Sequence, residues 1–238
     1  MQFIDLAAQQ KRIRKLIEAN IQAVLDHGKY IMGPEIGTLE KTLAQYVGAK
    51  HALSCSSGTD ALLLALMAKG VGPGDAIFTT PFTFIATGEV IAMLGAVPVF
   101  VDIAPDTFNI DPTLLGAAIE ALQLGTPGKH PLPETALQNK LNPKAIIAVD
   151  LFGLPADYKA IEKIAFHHNL AVIEDAAQSF GAEYKGQKAG ALAEIGCTSF
   201  FPAKPLGCYG DGGMCFTDDD HLQNVMESIR IHGKGTDK

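Results

Sequence analysis

The chain lacks the features that identify nucleic-acid-binding, membrane and secreted proteins. Its 238 residues carry a formal charge of −7 without a basic cluster, which argues against nucleic acid as a partner. No apolar run approaches the roughly 20 residues that a membrane-spanning helix needs, so no membrane association is expected. The start, Met-Gln-Phe-Ile-Asp-Leu, has neither the basic nor the apolar segment of a secretory signal, and we expect a cytoplasmic protein.

Several common ligand-binding motifs are also absent. The four cysteines form no C-x-x-C pair, so we expect reduced thiols, most of them buried. No cysteine or histidine pair has the spacing of a zinc finger, which argues against a metal site. No G-x-G-x-x-G follows the first strand, which argues against a plain dinucleotide-binding domain. With 47% hydrophobic and 19% charged residues, the composition is that of one large globular domain.

What is present is an alternation of strand and helix patterns. The predicted helices cover residues 10–27, 39–48, 61–67, 83–94, 112–122, 155–168 and 218–231, and Asp157 is expected to cap the helix over 155–168. The predicted strands cover residues 51–55, 76–80, 97–101, 144–149, 170–173, 198–201 and 213–216. Residues 125–142 are rich in proline, glycine and polar residues and are predicted to be an exposed insertion, and residues 233–238 a polar tail. The alternation predicts a three-layer α/β/α domain with a mostly parallel sheet.

One lysine lies in unusual surroundings near the end of the chain. Lys204 stands between Pro202 and Pro205, and four glycines follow within residues 207–213. Prolines restrict the backbone, and an ammonium group in rigid, apolar surroundings has a lowered pKa and can act as a nucleophile. The alternative is a glycine-rich turn between two strands with an incidental lysine.

Two other segments follow predicted strands in the same way. Ser57-Gly58-Thr59 opens a helix and could direct free N–H groups at an anion, although Ser57 or Thr59 could equally be an ordinary helix cap. Asp175 follows an apolar strand, where it could instead cap the next helix. Ligands bind at the carboxyl ends of parallel strands, so these segments and Lys204 are expected to share one pocket. A nucleophilic lysine, an anion site and a carboxylate are what pyridoxal phosphate requires.

Four segments, in chain order, resemble the DegT/DnrJ/EryC1/StrS family: residues 57–62, 81–87, 172–181 and 199–207. The family consists of fold-type-I, pyridoxal-phosphate sugar aminotransferases, and the resemblance covers nearly the whole chain except residues 125–142. It implies that residues 1–238 are the cofactor-binding large domain. Relatives continue into a smaller C-terminal domain that this chain lacks. The expectation is therefore a fragment of a longer homodimeric enzyme with shared active sites, which exposes apolar surface and tends to associate.

The resemblance also implies residue roles. Lys204 is expected to bond covalently to the cofactor and to shuttle protons, and Asp175 to pair with the pyridine nitrogen. Gln178, one helical turn on, is expected to hydrogen-bond the ring hydroxyl. Phe84 matches an aromatic residue that stacks on the ring, with apolar packing as the alternative. The residues expected to hold the phosphate are Gly58, Thr59 and Ser199.

The lysine at position 204, where dehydratase relatives have histidine, favours transamination. The loop around it is most similar to the subgroup that acts on UDP-linked 3-keto-hexuronic acids, with glutamate as the habitual donor. Such enzymes make precursors of bacterial surface polysaccharide such as lipopolysaccharide O-antigen. The alternatives are amination at C4, dehydration, racemisation or desulfuration on the same fold, and a cofactor-binding sensor without turnover. Retention of Lys204, Asp175 and Gln178 together argues against the sensor.

Overall fold

The computed structural model describes residues 4–234, which contain eight α-helices and nine strands. The helices are α1 (Leu6–His27), α2 (Pro34–Val47), α3 (Gly58–Ala68), α4 (Ala86–Met93), α5 (Pro112–Leu124), α6 (Glu134–Gln138), α7 (Tyr158–His168) and α8 (Asp220–Arg230). The strands are β1 (His51–Cys55), β2 (Asp75–Thr79), β3 (Val97–Phe100), β4 (Asn142–Val149), β5 (Ala171–Asp175), β6 (Glu183–Tyr184), β7 (Gln187–Lys188), β8 (Ile195–Ser199) and β9 (Gly213–Thr217). No helix within residues 4–234 is both long enough and apolar enough to cross a membrane.

Seven strands form one sheet in the order β1-β9-β8-β5-β4-β2-β3. Strands β8, β5, β4, β2 and β3 pair in parallel, whereas β9 is antiparallel to both of its neighbours. The predicted mostly parallel sheet is therefore confirmed. Strand β9 follows β8 in the chain and runs antiparallel to it. The loop that joins them carries Lys204, and it therefore lies at the carboxyl end of β8.

Helices cover both faces of this sheet, as the sequence predicts. Successive residues of a strand point to opposite faces. Ile146 packs in a core cluster with residues of α5 and α7, whereas its neighbour Ile147 packs in a second cluster with residues of α3, α4 and α8. The strand interiors are apolar on both faces, which is the pattern of a buried parallel sheet.

Several element ends differ from the prediction. Helix α4 begins at Ala86 instead of residue 83, because residues 81–85 form a turn in which the carbonyls of Phe84 and Ile85 accept the first backbone hydrogen bonds. Strand β8 covers residues 195–199 instead of 198–201, since its pairing with β5 begins at Ile195. Helices α7 and α8 also begin later than predicted, each after an aspartate whose side chain accepts backbone N–H groups. The cap at Asp157 is as predicted.

The segment 125–142 is largely exposed, as expected, but it is not without regular structure. It contains the short helix α6, and β4 already begins at Asn142. Two side chains in it are buried, those of His130 and Leu141, and Nε2 of His130 lies 2.9 Å from the carbonyl oxygen of Phe100. Of the predicted polar tail, residues 235–238 lie outside the described residues.

The four cysteines are free thiols, as predicted, but only Cys197 and Cys215 are fully buried. Cys55 and Cys208 are half-buried, so the expectation that most cysteines are buried is wrong. The two buried thiols face each other on β8 and β9, and both donate to the carbonyl of Ala61 in α3. Their place is in the packing between helix and sheet.

Candidate active site

A cavity of about 520 Å³ lies at the carboxyl ends of the parallel strands. All seven residues that the sequence singled out line it: Gly58, Thr59, Phe84, Asp175, Gln178, Ser199 and Lys204. They come from the start of α3, the turn before α4, the end of β5, the end of β8 and the loop after β8. Segments separated by up to about 150 positions in sequence thus converge on one space, because the sheet brings its strand ends together.

The start of α3 combines a helix cap with free donors. Ser57 is the N-cap residue, and its Oγ accepts the backbone N–H of Asp60 at 3.0 Å. The capping alternative is therefore correct for Ser57. It leaves Gly58 and Thr59 as the first two helical residues, whose N–H groups have no acceptor within the helix. Cap and anion site coexist here, since such N–H groups and the helix dipole both favour an anion.

Gly58 lies against the end of β8 more closely than a larger residue could. A Cβ atom at position 58 would lie 2.6 Å from Cβ of Ser199 and 3.1 Å from its Oγ. Ser199 is buried, and its Oγ accepts the backbone N–H of Phe201 at 3.2 Å. The hydroxyl proton of Ser199 is therefore free to be donated, beside the free N–H groups of α3. This cradle of donors suits a phosphate group.

Asp175 is the last residue of β5 and is only 7% exposed. Its Oδ2 accepts from the Thr87 hydroxyl at 2.8 Å, and its Oδ1 accepts from the Ala177 N–H at 3.2 Å. Burial raises the pKa of the Asp175 carboxyl, whereas the hydrogen bonds from Thr87 and Ala177 and the charge of Lys204 lower it. The result is a buried carboxylate that faces the cavity.

No helix follows Asp175, so the helix-capping alternative is wrong. Residues 176–181 form a turn in which the N–H of Ser179 donates to the carbonyl of Ala176. The backbone hydrogen bonds of this segment, from Ser179 N–H to Ala176 and from Ala182 N–H to Ser179, join residues three positions apart, whereas those of an α-helix join residues four apart. The description of Gln178 as one helical turn beyond Asp175 is wrong for the same reason. The turn nevertheless brings Gln178 to the cavity wall.

The Gln178 side chain is oriented by a backbone group. Its Oε1 accepts the N–H of Phe152 at 2.9 Å. Because the carbonyl end of the amide is engaged, the amide NH₂ is the end that remains to donate to a ligand. Gln178 therefore presents donors to the cavity, whereas Asp175 presents acceptors.

Phe84 and Lys204 complete the cavity wall. Phe84 is 65% exposed, so the alternative of apolar packing in the core is wrong. Lys204 is half-buried, which is less enclosed than the sequence suggested. Its backbone N–H donates to the carbonyl of Phe201 at 2.8 Å. The loop does connect two strands, as the turn alternative holds, but its lysine is directed to the cavity.

Two groups of residues near the site were missed. Thr83 and Thr87 line the cavity, and nothing in their local sequence indicates the contact with Asp175. Asp150, at the end of β4, is fully buried and accepts from Ala156 N–H, Tyr158 O–H and Ser179 O–H. Burial raises the pKa of Asp150 to about 6. Its place after an apolar parallel strand, like that of Asp175, is a signal that could have identified it.

Comparison with known proteins agrees with this geometry. The model of the DegT/DnrJ/EryC1/StrS aminotransferase family matches residues 11–238. The UDP-2-acetamido-2-deoxy-3-oxo-D-glucuronate aminotransferase of Pseudomonas aeruginosa is 53% identical over 234 residues, which cover 98% of this chain and 60% of that protein. The chain thus spans about 60% of the length of this curated relative.

Solved structures share the fold. A DegT DnrJ EryC1 StrS aminotransferase from Brucella abortus is 49% identical, with a TM-score of 0.92 over 100% of this chain and 60% of that chain. NtdA from Bacillus subtilis with bound cofactor PMP is 30% identical, with a TM-score of 0.83 over 100% of this chain and 49% of that chain.

Proposed function

The chain belongs to the DegT/DnrJ/EryC1/StrS aminotransferase family, and we propose that it is the cofactor-binding part of a sugar-nucleotide aminotransferase. The enzyme moves an amino group from an amino acid, glutamate in our proposal, to a keto-sugar nucleotide. The observation that carries this proposal is the convergence of Lys204, Asp175 and the Gly58–Ser199 cradle on one cavity. An amine, a buried carboxylate and a phosphate-sized set of donors in one space favour transamination over simple binding.

The cofactor is pyridoxal 5′-phosphate, of which PMP is the amine form. The residues of the cavity fit it. Gly58, Thr59 and Ser199 would hold the phosphate, Asp175 the protonated pyridine nitrogen, Gln178 the ring hydroxyl, and Phe84 one face of the ring. Lys204 would hold the cofactor covalently through Nζ. When bound, the cofactor supplies an electron sink for a carbanion at the carbon that exchanges its amino group.

The protein groups have three tasks in this proposal. Asp175 must stay ionised, so that its charge keeps the pyridine nitrogen protonated, and the Thr87 hydrogen bond supports that state. Lys204 Nζ, once free, takes the proton from Cα of the amino-acid donor and later delivers a proton to the sugar carbon. A positioned base of this kind contributes about 10²–10⁴-fold to the rate. The Gln178 NH₂ would donate to the ring oxygen of the bound cofactor and so help to orient it.

For the substrate we propose a UDP-linked 3-keto-hexuronic acid, used for bacterial surface polysaccharide such as O-antigen. The support is the 53% identity with the Pseudomonas aeruginosa enzyme, which is named for such a substrate. Amination at C4 is the second candidate, because the cofactor-holding residues do not distinguish the two carbons. The predicted cytoplasmic location is also part of this proposal.

We also propose that residues 1–238 form the large domain of a homodimer whose subunits share active sites. A smaller domain of the longer protein would complete the sugar-binding cleft. The support is the greater length of the relatives and the exposure of Phe84 at the cavity. In this arrangement the chain holds the cofactor half of the site.

The test of the proposed function is Lys204→Ala. The variant should lose the visible absorbance of covalently held cofactor, resist borohydride fixation and transfer no amino group from glutamate to the UDP-keto-sugar. Lys69→Ala is the matched control, since Lys69 pairs with Glu194 at 2.8 Å, outside the residues that line the cavity. A Lys204→Ala protein that borohydride still fixes to the cofactor refutes the assignment. Wild-type protein as long as its relatives that holds the cofactor but aminates no keto-sugar supports the sensor alternative.

A further inference from the structure

Two threonine hydroxyls form a chain between the cavity and Asp175. Thr83 and Thr87 both line the cavity, and their Oγ1 atoms are 3.0 Å apart. Oγ1 of Thr87 is 2.8 Å from Oδ2 of Asp175, and both of these residues are buried. Thr83 lies in the turn before helix α4 and Thr87 is its second residue.

The number of protons sets the direction of these hydrogen bonds. A hydroxyl has one proton to donate, and an ionised carboxylate has none. Thr87 must therefore donate to Asp175, which leaves its oxygen as an acceptor for the proton of Thr83. The chain runs from Thr83 to Thr87 to Asp175. The Thr83 oxygen can then only accept a hydrogen bond from the cavity side.

The charges around Asp175 show what this chain contributes. The charge of Lys204 favours the ionised form of Asp175. Asp150 and Glu174 are acids buried nearby, and whether negatively charged or neutral they do not favour that form. Tyr158 and Cys197 also face it and have raised pKa values, so both are neutral. Within residues 4–234, Thr87 is the one side chain that donates a hydrogen bond to Asp175. The second donor, Ala177 N–H, is farther away at 3.2 Å.

We propose that Thr87, oriented by Thr83, is a positioning residue that keeps Asp175 ionised and directed at the pyridine nitrogen of the cofactor. The inference rests on the proposed function, because a ligand with a protonated nitrogen is what a charged carboxylate at this cavity would pair with. Thr87 is suited to the role, since a β-branched side chain in a helix has few rotamers. A hydrogen bond to a charged acceptor is also stronger than one between neutral groups.

The test is the dissociation constant of pyridoxal 5′-phosphate between pH 5 and 8, for wild type, Thr87→Val, Thr87→Ser and Thr83→Val. Loss of the hydroxyl raises the pKa of Asp175, so the carboxylate is lost at a higher pH as the solution is acidified. Thr87→Val should bind the cofactor about tenfold more weakly at neutral pH. The acid limb of its binding curve, where affinity falls as the pH is lowered, should lie about one pH unit higher than in wild type. Thr87→Ser should behave as wild type, and Thr83→Val should show a smaller shift in the same direction.

Thr79→Val is the control for the substitution itself. Thr79 is buried at the end of β2, and its hydroxyl donates to the carbonyl of Ile147 at 3.0 Å, away from Asp175. The acid limb of the Thr79→Val binding curve should match that of wild type. If Thr87→Val is indistinguishable from Thr79→Val, or if Thr87→Ser binds as weakly as Thr87→Val, the inference is wrong. Failure of wild type to bind the cofactor at all refutes the proposed function instead. Thermal unfolding of the cofactor-free variants shows that each is folded.

Discussion

Asp150 and Asp175 end neighbouring parallel strands, and the donors around each carboxylate separate their roles. Three donors from the protein surround Asp150, and the residue does not line the cavity. Asp175 has two donors and faces the cavity, so it retains acceptor capacity for a ligand. Burial raises the pKa of both carboxyl groups. A buried charge costs free energy unless it is compensated, and for Asp175 we expect the cofactor to complete that compensation.

Asp175→Asn should separate stability from catalysis. The amide is neutral and its oxygen can still accept from Thr87, so the free energy of unfolding should stay within about 1 kcal/mol of wild type or rise. Turnover of glutamate with the keto-sugar should nevertheless fall by orders of magnitude, because an amide cannot hold the pyridine nitrogen protonated. Thermal unfolding and single-turnover rates measure the two effects. A destabilised variant with the wild-type rate would show that Asp175 is only structural.

Asp150→Asn should change how stability depends on pH. The pKa of Asp150 is about 6 in the folded protein, above its ordinary value of 3.8, so the folded state binds the proton more tightly than the unfolded chain. The stability from this group is present below pH 4 and is lost as the pH rises to about 6. Relative to Asp150→Asn, the wild-type free energy of unfolding should fall by up to about 3 kcal/mol across that window. Urea unfolding at pH 4, 5, 6 and 7 measures the difference, and a difference independent of pH would contradict the expectation.

At the scale of elements, the site depends on how α3 meets β8. The first turn of α3 supplies free N–H groups, and β8 supplies the Ser199 hydroxyl. Gly58 allows the two to approach, and Gly213 on β9 allows the same for the carbonyl of Ser57. The buried thiols of Cys197 and Cys215 contact the same helix one turn further along, through the carbonyl of Ala61. The phosphate cradle is therefore a packing interface as well as a binding site.

Gly58→Ala should damage that interface. The added Cβ would lie 2.6 Å from Cβ of Ser199, so α3 and β8 must move apart. We expect a loss of about 1–3 kcal/mol of stability and at least about tenfold weaker cofactor binding. Gly116→Ala in α5 is the matched control, because no atom lies within 4 Å of its added Cβ and alanine favours a helix by up to about 1 kcal/mol. Urea unfolding and cofactor titration provide the measurements. Equal affinity for the two variants would show that the close approach does not matter.

At the scale of the whole molecule, the first helix has no residue packed in the core. α1 has 22 residues and none of them is buried. Its apolar side chains Leu16, Ile21 and Leu25 are 68%, 55% and 56% exposed. Most of the stability of a helix in a protein comes from packing of its apolar face, so this face favours association with another surface. The proposed homodimer of a longer protein would provide one.

We therefore expect the 238-residue chain and a version as long as its relatives to differ in substrate turnover more than in cofactor binding. The cofactor half of the site lies within the chain, so the affinity for pyridoxal 5′-phosphate should agree within about tenfold. Amination of the keto-sugar should be far slower in the shorter protein, which also should self-associate more in sedimentation experiments. Equal turnover by the two proteins would refute the proposed division into domains.

The fold class and seven of the residues that line the cavity could be predicted from the sequence, whereas Thr83 and Thr87 could not. Alternating strand and helix patterns place strand ends at one edge of a parallel sheet, so Gly58, Asp175 and Lys204 could be brought together without coordinates. The caps at Ser57 and Asp157 were also readable, because a cap is a contact between residues three positions apart. Such features depend on neighbours along the chain.

Contacts between groups far apart in the chain could not be predicted from the sequence, because they depend on how the elements pack. Whether Asp175 caps a helix or faces a ligand depended on the turn after it, whose first residue, Ala176, is hydrogen-bonded to Cys197 and Thr198 on β8. The start of α4 depended on the turn that places Thr87 against Asp175, 88 positions away. The burial of Asp150 beside Tyr158 and Ser179 likewise depends on how α7 packs on the sheet. Periodicity and turn chemistry are local, whereas these contacts are set by packing and by the need to pair every buried polar group.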